Sequence, residues 1–319
     1  MGANPCKQEE IGLSPRRCQR LCGASLASRA DSAVHREAQN PSMKQIQVAR
    51  EAALTQIGAS MGNRFFDPGE QRAAKVRDLF ARIASRYDLV NDLQSLVLHR
   101  HWKHRVIRLA RPQVGQRALD LCCGTGDLAL GLARHGAQVA GVDFSEQMLE
   151  VAKAKYSKSR KQEPRARHRA SAPAERTFPA PHWVLGDAQR IPFADNSFDL
   201  VTVGYGLRNL ASWETGLREM QRVAKPGGRL VVLDFGKPGN ALWRGLYFGY
   251  LRLFVPCLGR IFCGSASAYA YILESLRHYP AQQGVAAKMR ELGLVEVGVL
   301  NLLGGVMSIN YGEKRSERG

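Results

Sequence analysis

The sequence predicts an α/β domain in which a doubly wound, mostly parallel sheet of seven strands lies between helices. Three observations predict it. Short apolar runs alternate with helical patterns from residue 117 onward, glycine-containing turns follow several of these runs, and two apolar runs close the chain. Alternating strands and helices form a parallel sheet with helices on both faces, because each crossover connection carries a helix. The closing pair predicts an antiparallel edge.

The elements of the predicted domain, 67–314, follow in order. Two helices, at 70–86 and 92–108, precede the sheet because apolar residues recur there at helical spacing. The predicted strands are 117–121, 138–142, 183–185, 198–203, 229–235, 295–300 and 305–311. The predicted helices among them are 127–135, 145–156, 212–224 and an aromatic-rich segment from 241 to 262. Residues 315–319 are a short tail.

The start of the chain shows no sustained periodicity, so residues 1–66 are predicted to be a disordered or non-native extension. Their content of Arg, Ser and Ala suggests an organelle transit peptide. Transit peptides are poor in acid, however, and residues 1–60 contain five acidic side chains. A true start of translation at Met43 or Met61 is the other explanation.

A basic segment, 158–181, interrupts the alternation of strands and helices. It carries seven lysines and arginines and four prolines, and it has too few apolar residues to bury a core. It is therefore predicted to be a disordered surface insertion. The segment contributes to a formal net charge of +18, which predicts attraction to polyanions such as nucleic acid or an acidic membrane surface.

The cysteines and histidines predict neither a disulfide framework nor a metal site. The seven cysteines are odd in number and form no CxxC pair, which favours a reducing compartment. His99, His101 and His104 lie close together, but no second group of ligands accompanies them. We interpret them as a solvated helical face.

The strongest candidate site is the glycine turn after the first strand, which begins at Asp120 and continues through Gly124, Thr125, Gly126 and Asp127. In open α/β sheets, ligands bind at the carboxyl ends of the strands. The glycine spacing also fits a dinucleotide fingerprint. Pyrophosphate favours a helix N-terminus free of acid. Acid at this turn instead favours a cation, such as the ammonium and sulfonium groups of S-adenosylmethionine.

Further candidate cofactor residues follow the next strands. Asp143 ends the second strand, where a carboxylate can accept hydrogen bonds from both ribose hydroxyls under either interpretation. Asp187 and Ala188 follow the third strand, where a carboxylate can accept the exocyclic amine of adenine. Phe144 and Gly204, at the ends of the second and fourth strands, complete the predicted cofactor site.

Several segments carry a resemblance to a known family. The generic ones are DLCCGTGD at 120–127, PFADNSFD at 192–199 and KPGG at 225–228, and the more specific ones are YDLVND at 87–92, HRHWK at 99–103, GYGLRN at 204–209 and LDFGKP at 233–238. The generic segments resemble class I S-adenosylmethionine methyltransferases, which have a Rossmann-like fold. Together with the specific ones they resemble the ubiquinone/menaquinone biosynthesis C-methyltransferase family over about 76–314.

That resemblance implies a reaction, a cofactor and a set of catalytic residues. The reaction is methylation of a ring carbon of a polyprenylated demethyl-naphthoquinol, and the cofactor is S-adenosylmethionine. Arg208 would stabilise the developing phenolate, Asn209 would hold a quinol oxygen, and Tyr87 and Tyr205 would relay a proton or stack on the ring. Three of these residues have a structural alternative: an ion pair in a loop for Arg208 and Asn209, and helix packing for Tyr87.

Other functions stay open at this point. The same reaction on 2-phytyl-1,4-naphthoquinol or on a benzoquinol precursor of ubiquinone is one alternative. A nucleic-acid methyltransferase would suit the positive charge. Base N-methyltransferases, however, carry Asn/Asp-Pro-Pro-Tyr where this chain has GYG at 204–206, and the Pro256-Cys257 pair lacks the surroundings of a cytosine C5 enzyme. No specific nucleic acid is therefore expected. A methyltransferase fold without activity is the remaining alternative.

An insoluble prenyl tail requires the protein to visit a membrane surface. Residues 241–263 combine aromatic and aliphatic side chains with Arg244, Arg252 and Arg260, which suits the headgroup boundary. A buried cap over the quinone ring is the alternative for this segment. We expect a cytoplasmic protein in peripheral contact with an anionic inner membrane, or a plastid one if residues 1–60 are a transit peptide. A homo-oligomer or a quinone-biosynthesis complex is a further possibility for its assembly.

Overall fold

The computed structural model describes residues 70–167, 178–263 and 267–316. The predicted extension 1–66, the centre of the basic segment and the last residues of the chain lie outside this description. The helices are α1 Glu70–Ile83, α2 Tyr87–Ser95, α3 Leu98–Ala110, α4 Asp127–Arg134, α5 Glu146–Arg167, α6 Trp213–Val223, α7 Ala241–Cys263, α8 Ser267–His278 and α9 Ala281–Glu291. The strands are β1 Arg117–Leu121, β2 Gln138–Asp143, β3 His182–Leu185, β4 Phe198–Gly204, β5 Ala224–Phe235, β6 Leu294–Leu302 and β7 Met307–Lys314.

The sheet has seven strands in the order β3-β2-β1-β4-β5-β7-β6. Strands β1 to β5 run parallel, and β7 pairs antiparallel with both β5 and β6. The predicted doubly wound, mostly parallel sheet with an antiparallel edge and preceding helices is therefore confirmed. The strand order reverses between β1 and β4, which is the position where ligands bind in open α/β sheets.

Neighbouring residues of the central strands contribute side chains to two separate hydrophobic cores, one on each face of the sheet. Val201 and Leu230 belong to one buried cluster, whereas the adjacent Leu200 and Val231 belong to the other. Successive side chains of a strand point to opposite faces, so a strand buried on both faces needs a continuous apolar run. The apolar run of β4 and β5 is thus the sequence signature of their central position.

The predicted helix at 92–108 is wrong as a single element, because α2 ends at Ser95 and α3 begins at Leu98. Leu96 and Val97 separate them in the left-handed region, with φ of +49° and +66°. Residues other than glycine rarely adopt this backbone conformation, and β-branched residues adopt it least often. Neither glycine nor proline marks the break in the sequence. Both apolar side chains are exposed.

The boundary of the predicted insertion at 158–181 is also wrong. Helix α5 continues from the predicted end at Tyr156 to Arg167. At the other end, Phe178 is buried and packs edge-on against Tyr156, with ring centroids 5.5 Å apart. Of the predicted disordered segment, only residues 168–177 lie outside the described part of the chain. The sequence analysis also missed helices α8 and α9.

Candidate active site

A cavity of about 300 Å³ opens at the carboxyl ends of β1, β2 and β4. Its volume lies at the lower end of the range for small-molecule sites. The predicted site residues that line it are Tyr87, Gly124, Asp143, Phe144, Asp187, Ala188, Gly204, Tyr205 and Asn209. Asp120, Thr125, Gly126 and Arg208 are not among its lining residues. The structure thus brings together most, but not all, of the predicted site.

The turn between β1 and α4 forms one wall of this cavity. Cys122, Gly124 and Gly126 all have positive φ, at +51°, +53° and +82°. A side chain at Gly126 is excluded by packing as well, since its Cβ would lie 2.7 Å from the Trp183 ring. This tight turn exposes the backbone of Gly124 to the cavity.

The Asp143 carboxylate organises the turn from the end of β2. Its Oδ2 atom accepts a hydrogen bond from the Gly124 N–H at 2.8 Å, and its Oδ1 atom accepts one from the Ser145 N–H at 2.9 Å. Burial raises the pKa of Asp143 to about 6, although these backbone donors oppose the shift. Each carboxylate oxygen can accept a second bond from a ligand hydroxyl.

The acidic charge at the start of α4 is already paired, contrary to the argument that it would attract a cation. Asp127 binds the ammonium groups of Lys103 at 2.6 Å and Lys155 at 2.5 Å. Burial favours the neutral acid, but the two lysines outweigh it and hold the pKa of Asp127 well below its usual range. Lys155 also binds Asp88 and the Thr125 hydroxyl.

Asp120 and Thr125 line a smaller space of about 30 Å³ beside the turn. Asp120 accepts hydrogen bonds from the Thr202 hydroxyl and the Ala129 N–H, at 2.8 and 3.0 Å. Burial raises its pKa to about 7. These contacts fix α4 against β1 and β4, so Asp120 supports the turn rather than facing the large cavity.

The segment after β4 places Tyr205 and Asn209 at the cavity and Arg208 behind it. Tyr205 has φ of +62°, a conformation that costs about 1–3 kcal/mol and concentrates at functional sites. Its carbonyl accepts hydrogen bonds from the Asn209 amide at 3.0 Å and the Arg208 guanidinium at 2.5 Å. Arg208 is buried and pairs with Asp234 at 2.9 Å. The sequence left two interpretations of Arg208, a catalytic residue and a structural ion pair. The structure contains the ion pair.

Residues 68–314 match the ubiE/COQ5 methyltransferase family. The chain belongs to this family. The demethylmenaquinone methyltransferase of Desulfitobacterium hafniense is 39% identical over 77% of this chain and 92% of its own length. The ubiquinone/menaquinone biosynthesis C-methyltransferase of Azotobacter vinelandii is 38% identical over 77% of this chain and 92% of its own length.

The fold also has solved relatives. A S-adenosylmethionine-dependent methyltransferase from Thermotoga maritima, described as a possible histamine N-methyltransferase, aligns with a TM-score of 0.52 at 17% identity. The alignment covers 75% of this chain and all of that one. At this identity the likeness concerns the fold alone. The family match confirms that this ubiE/COQ5 member is a S-adenosylmethionine-dependent C-methyltransferase.

The residues of the large cavity fit this cofactor. The buried Asp143 carboxylate suits the ribose hydroxyls, and exposed Asp187 with buried Ala188 suits the adenine ring. The bare backbone at Gly124 suits the methionine portion. Lys103 and Lys155, which the sequence analysis did not assign to the site, donate to the Asp127 carboxylate beside the glycine turn.

Tyr87, the first residue of α2, lines the large cavity. Its ring packs edge-on against Phe80 of α1, with centroids 5.9 Å apart. Burial raises its pKa to about 12, so its hydroxyl stays protonated and donates hydrogen bonds.

The predicted histidine face is partly wrong, because His101 and His104 are exposed but His99 is buried. His99 bonds to Asp92, seven residues earlier, which helical spacing within α3 could not reveal.

Proposed function

We propose that the protein methylates a ring carbon of a polyprenylated demethyl-naphthoquinol, converting demethylmenaquinol to menaquinol. The observation that carries this proposal is the 39% identity to a relative named demethylmenaquinone methyltransferase, over 77% of this chain. S-adenosylmethionine supplies a methyl group on a positively charged sulfur. The protein has to orient the ring, help to remove a proton and exclude water.

Asn209 and Tyr205 are the groups best placed to orient a quinol. The Asn209 side chain donates to the Tyr205 carbonyl, and its buried Oδ1 atom has no hydrogen-bond partner among the described residues. A buried acceptor without a partner costs about 1–3 kcal/mol, which a quinol hydroxyl would relieve. The buried Tyr205 hydroxyl lacks a partner in the same sense and can donate to a quinol oxygen.

The reaction can be tested with purified protein under anaerobic conditions. We expect methyl transfer from S-adenosylmethionine to a reduced short-chain demethyl-naphthoquinol, detected by mass spectrometry as gain of one methyl group on carbon. The phytyl-substituted naphthoquinol and a benzoquinol precursor are assayed beside it, since relatives named ubiquinone/menaquinone biosynthesis C-methyltransferase are 37–39% identical. Methylation of the benzoquinol alone, or of RNA or DNA instead of any quinol, would contradict the proposal.

We also propose that α7 brings the protein to an anionic membrane surface. Tyr247, Leu251 and Val255 bury one face of this helix. Its other side exposes Leu242, Trp243, Leu246, Leu253, Phe254 and Ile261. Exposed apolar side chains next to Arg252 and Arg260 suit the headgroup boundary, where each basic residue contributes about 1 kcal/mol. Of the helices described, none is long and apolar enough to cross a bilayer.

Flotation with anionic vesicles tests this surface. We expect salt-sensitive binding that falls at least about tenfold in the R252E/R260E variant, since reversal removes both attractions. Arg244 is omitted because it donates to the Pro238 carbonyl. The R108E/R290E variant, changed at exposed arginines on α3 and α9, is the matched control. Binding that survives R252E/R260E but disappears when the basic residues of 158–177 become glutamine would show that the other basic segment is responsible.

A further inference from the structure

A second cavity, of about 60 Å³, lies between α2, α3 and α7. Tyr205 lines both this space and the large cavity, so the two spaces meet at this residue. The space is about twice the volume that one water molecule occupies in the liquid. It is too small for a whole naphthoquinol but can admit the hydroxyl-bearing edge of its ring.

Unpartnered polar atoms are concentrated around this second cavity. The Gln94 Oε1, His99 Nδ1, Tyr205 Oη and Tyr247 Oη atoms are buried and have no hydrogen-bond partner in the described part of the chain. Nearly all buried polar groups in proteins are hydrogen-bonded, and each exception costs about 1–3 kcal/mol. Donors and acceptors gathered at one small space indicate a polar ligand that bonds to them.

His99 has the geometry of an oriented base. Its side chain is only 4% exposed, and its Nε2 atom lies 2.8 Å from the Asp92 carboxylate, which Arg100 also binds. Because a carboxylate only accepts, it fixes the imidazole proton on Nε2 and leaves the lone pair on Nδ1. A carboxylate that orients a histidine in this way also stabilises the imidazolium once it forms.

The surroundings of His99 favour the neutral form of its ring. Burial and the Lys103 ammonium lower its pKa, while Asp92 opposes them, and a general base has to be neutral before it can accept a proton. Among the described residues, the charged and titratable groups around it are Asp92 on α2, Arg100 and Lys103 on α3, Asp127 at the start of α4, Tyr205 after β4, and Tyr247 and Tyr250 on α7.

We propose that His99 is the general base of the reaction and takes the proton of the quinol hydroxyl that enters the second cavity; this inference rests on the proposed function. The O–H bond breaks, its electron pair stays on the oxygen, and the proton forms an N–H bond at Nδ1. The neighbouring ring carbon then accepts the methyl group, with the C–S electron pair left on sulfur. Loss of the ring C–H proton to solvent restores the aromatic phenolate, which takes back the proton from His99. One proton is released in each turnover.

The His99→Gln variant separates this role from a structural one. A glutamine amide can still donate to Asp92 but has no basic nitrogen. General bases contribute about 100-fold to 10,000-fold, and we expect a loss of turnover in this range at pH 7 with unchanged cofactor affinity by calorimetry. The deficit should shrink by about tenfold per pH unit at higher pH, as the quinol ionises without help. His104→Gln, at an exposed histidine of the same helix, should behave as wild type.

A binding measurement tests the role of His99 without relying on turnover. When a reduced demethyl-naphthoquinol is bound with S-adenosylhomocysteine, its phenolate absorbance should appear at a lower pH in the wild type than in His99→Gln. Asp92→Asn, a second variant in case the first does not fold, should lower turnover by about tenfold and weaken the phenolate band.

The outcomes separate the two proposals. A wild type that forms the phenolate but methylates no quinol would refute the proposed function and leave the role of His99 intact. Wild-type turnover in His99→Gln, or a deficit that is the same at every pH, would refute the role of His99.

Discussion

Replacing Arg208 with alanine should lower the free energy of unfolding by about 3–5 kcal/mol, because it leaves a buried carboxylate without its partner. Arg208 pairs with Asp234, and both side chains are at most 3% exposed. The guanidinium also lies 4.5 Å from the centre of the Phe235 ring. Burial raises the pKa of Asp234 while Arg208 lowers it, so loss of the arginine favours a neutral acid.

Urea denaturation with a double-mutant cycle measures this coupling. The R208A/D234A variant should be more stable than Arg208→Ala alone, since it no longer buries an unpaired acid. Turnover of these variants must be compared per folded molecule. The Asn209→Ala variant, which removes no ion pair, should reduce turnover without a comparable loss of stability. An Arg208→Ala protein as stable as the wild type would show that the pair contributes little to the fold.

The buried ion pair between Arg208 and Asp234 is a feature that the sequence alone did not predict. The alternation of strands and helices predicted the sheet, because burial on both faces demands continuous apolar runs such as those of β4 and β5. The glycine turn and Asp143 were found because each follows directly on a strand. Asp234 lies 26 residues from Arg208. No local spacing connects the two, so the sequence left both the catalytic and the structural interpretation of Arg208 open.

The same limit applies to the charges at the turn. Asp127 looked like a free acid because Lys103 and Lys155 approach it from α3 and α5, each more than 20 residues away along the chain. The break at Leu96 and Val97 escaped prediction for another reason. Both residues adopt a left-handed backbone that their own preferences oppose, and the Val97 N–H donates to the Asp92 carbonyl of the helix that ends there. His99 was misjudged because its partner Asp92 lies on the preceding helix.

Asp143→Ala should weaken S-adenosylmethionine binding at least about tenfold. A charged hydrogen-bond partner of a ligand is worth about 2 kcal/mol or more, and each 1.4 kcal/mol changes affinity tenfold. The substitution also removes the acceptor of the Gly124 and Ser145 N–H groups. The turn that presents the Gly124 backbone to the cofactor would thus lose these hydrogen bonds, which should weaken S-adenosylmethionine binding further.

Isothermal titration calorimetry with S-adenosylmethionine measures the effect, and three comparisons interpret it. Asp143→Asn keeps one carbonyl acceptor and should fall between the wild type and Asp143→Ala. Asp187→Ala, at an exposed residue of the same cavity, should cost less because water screens its contact. Arg190→Ala, an exposed residue outside the cavity lining, should bind as the wild type does. Unchanged affinity in a folded Asp143→Ala protein would remove Asp143 from the cofactor site. A reduced melting temperature with normal affinity would restrict its role to holding the turn.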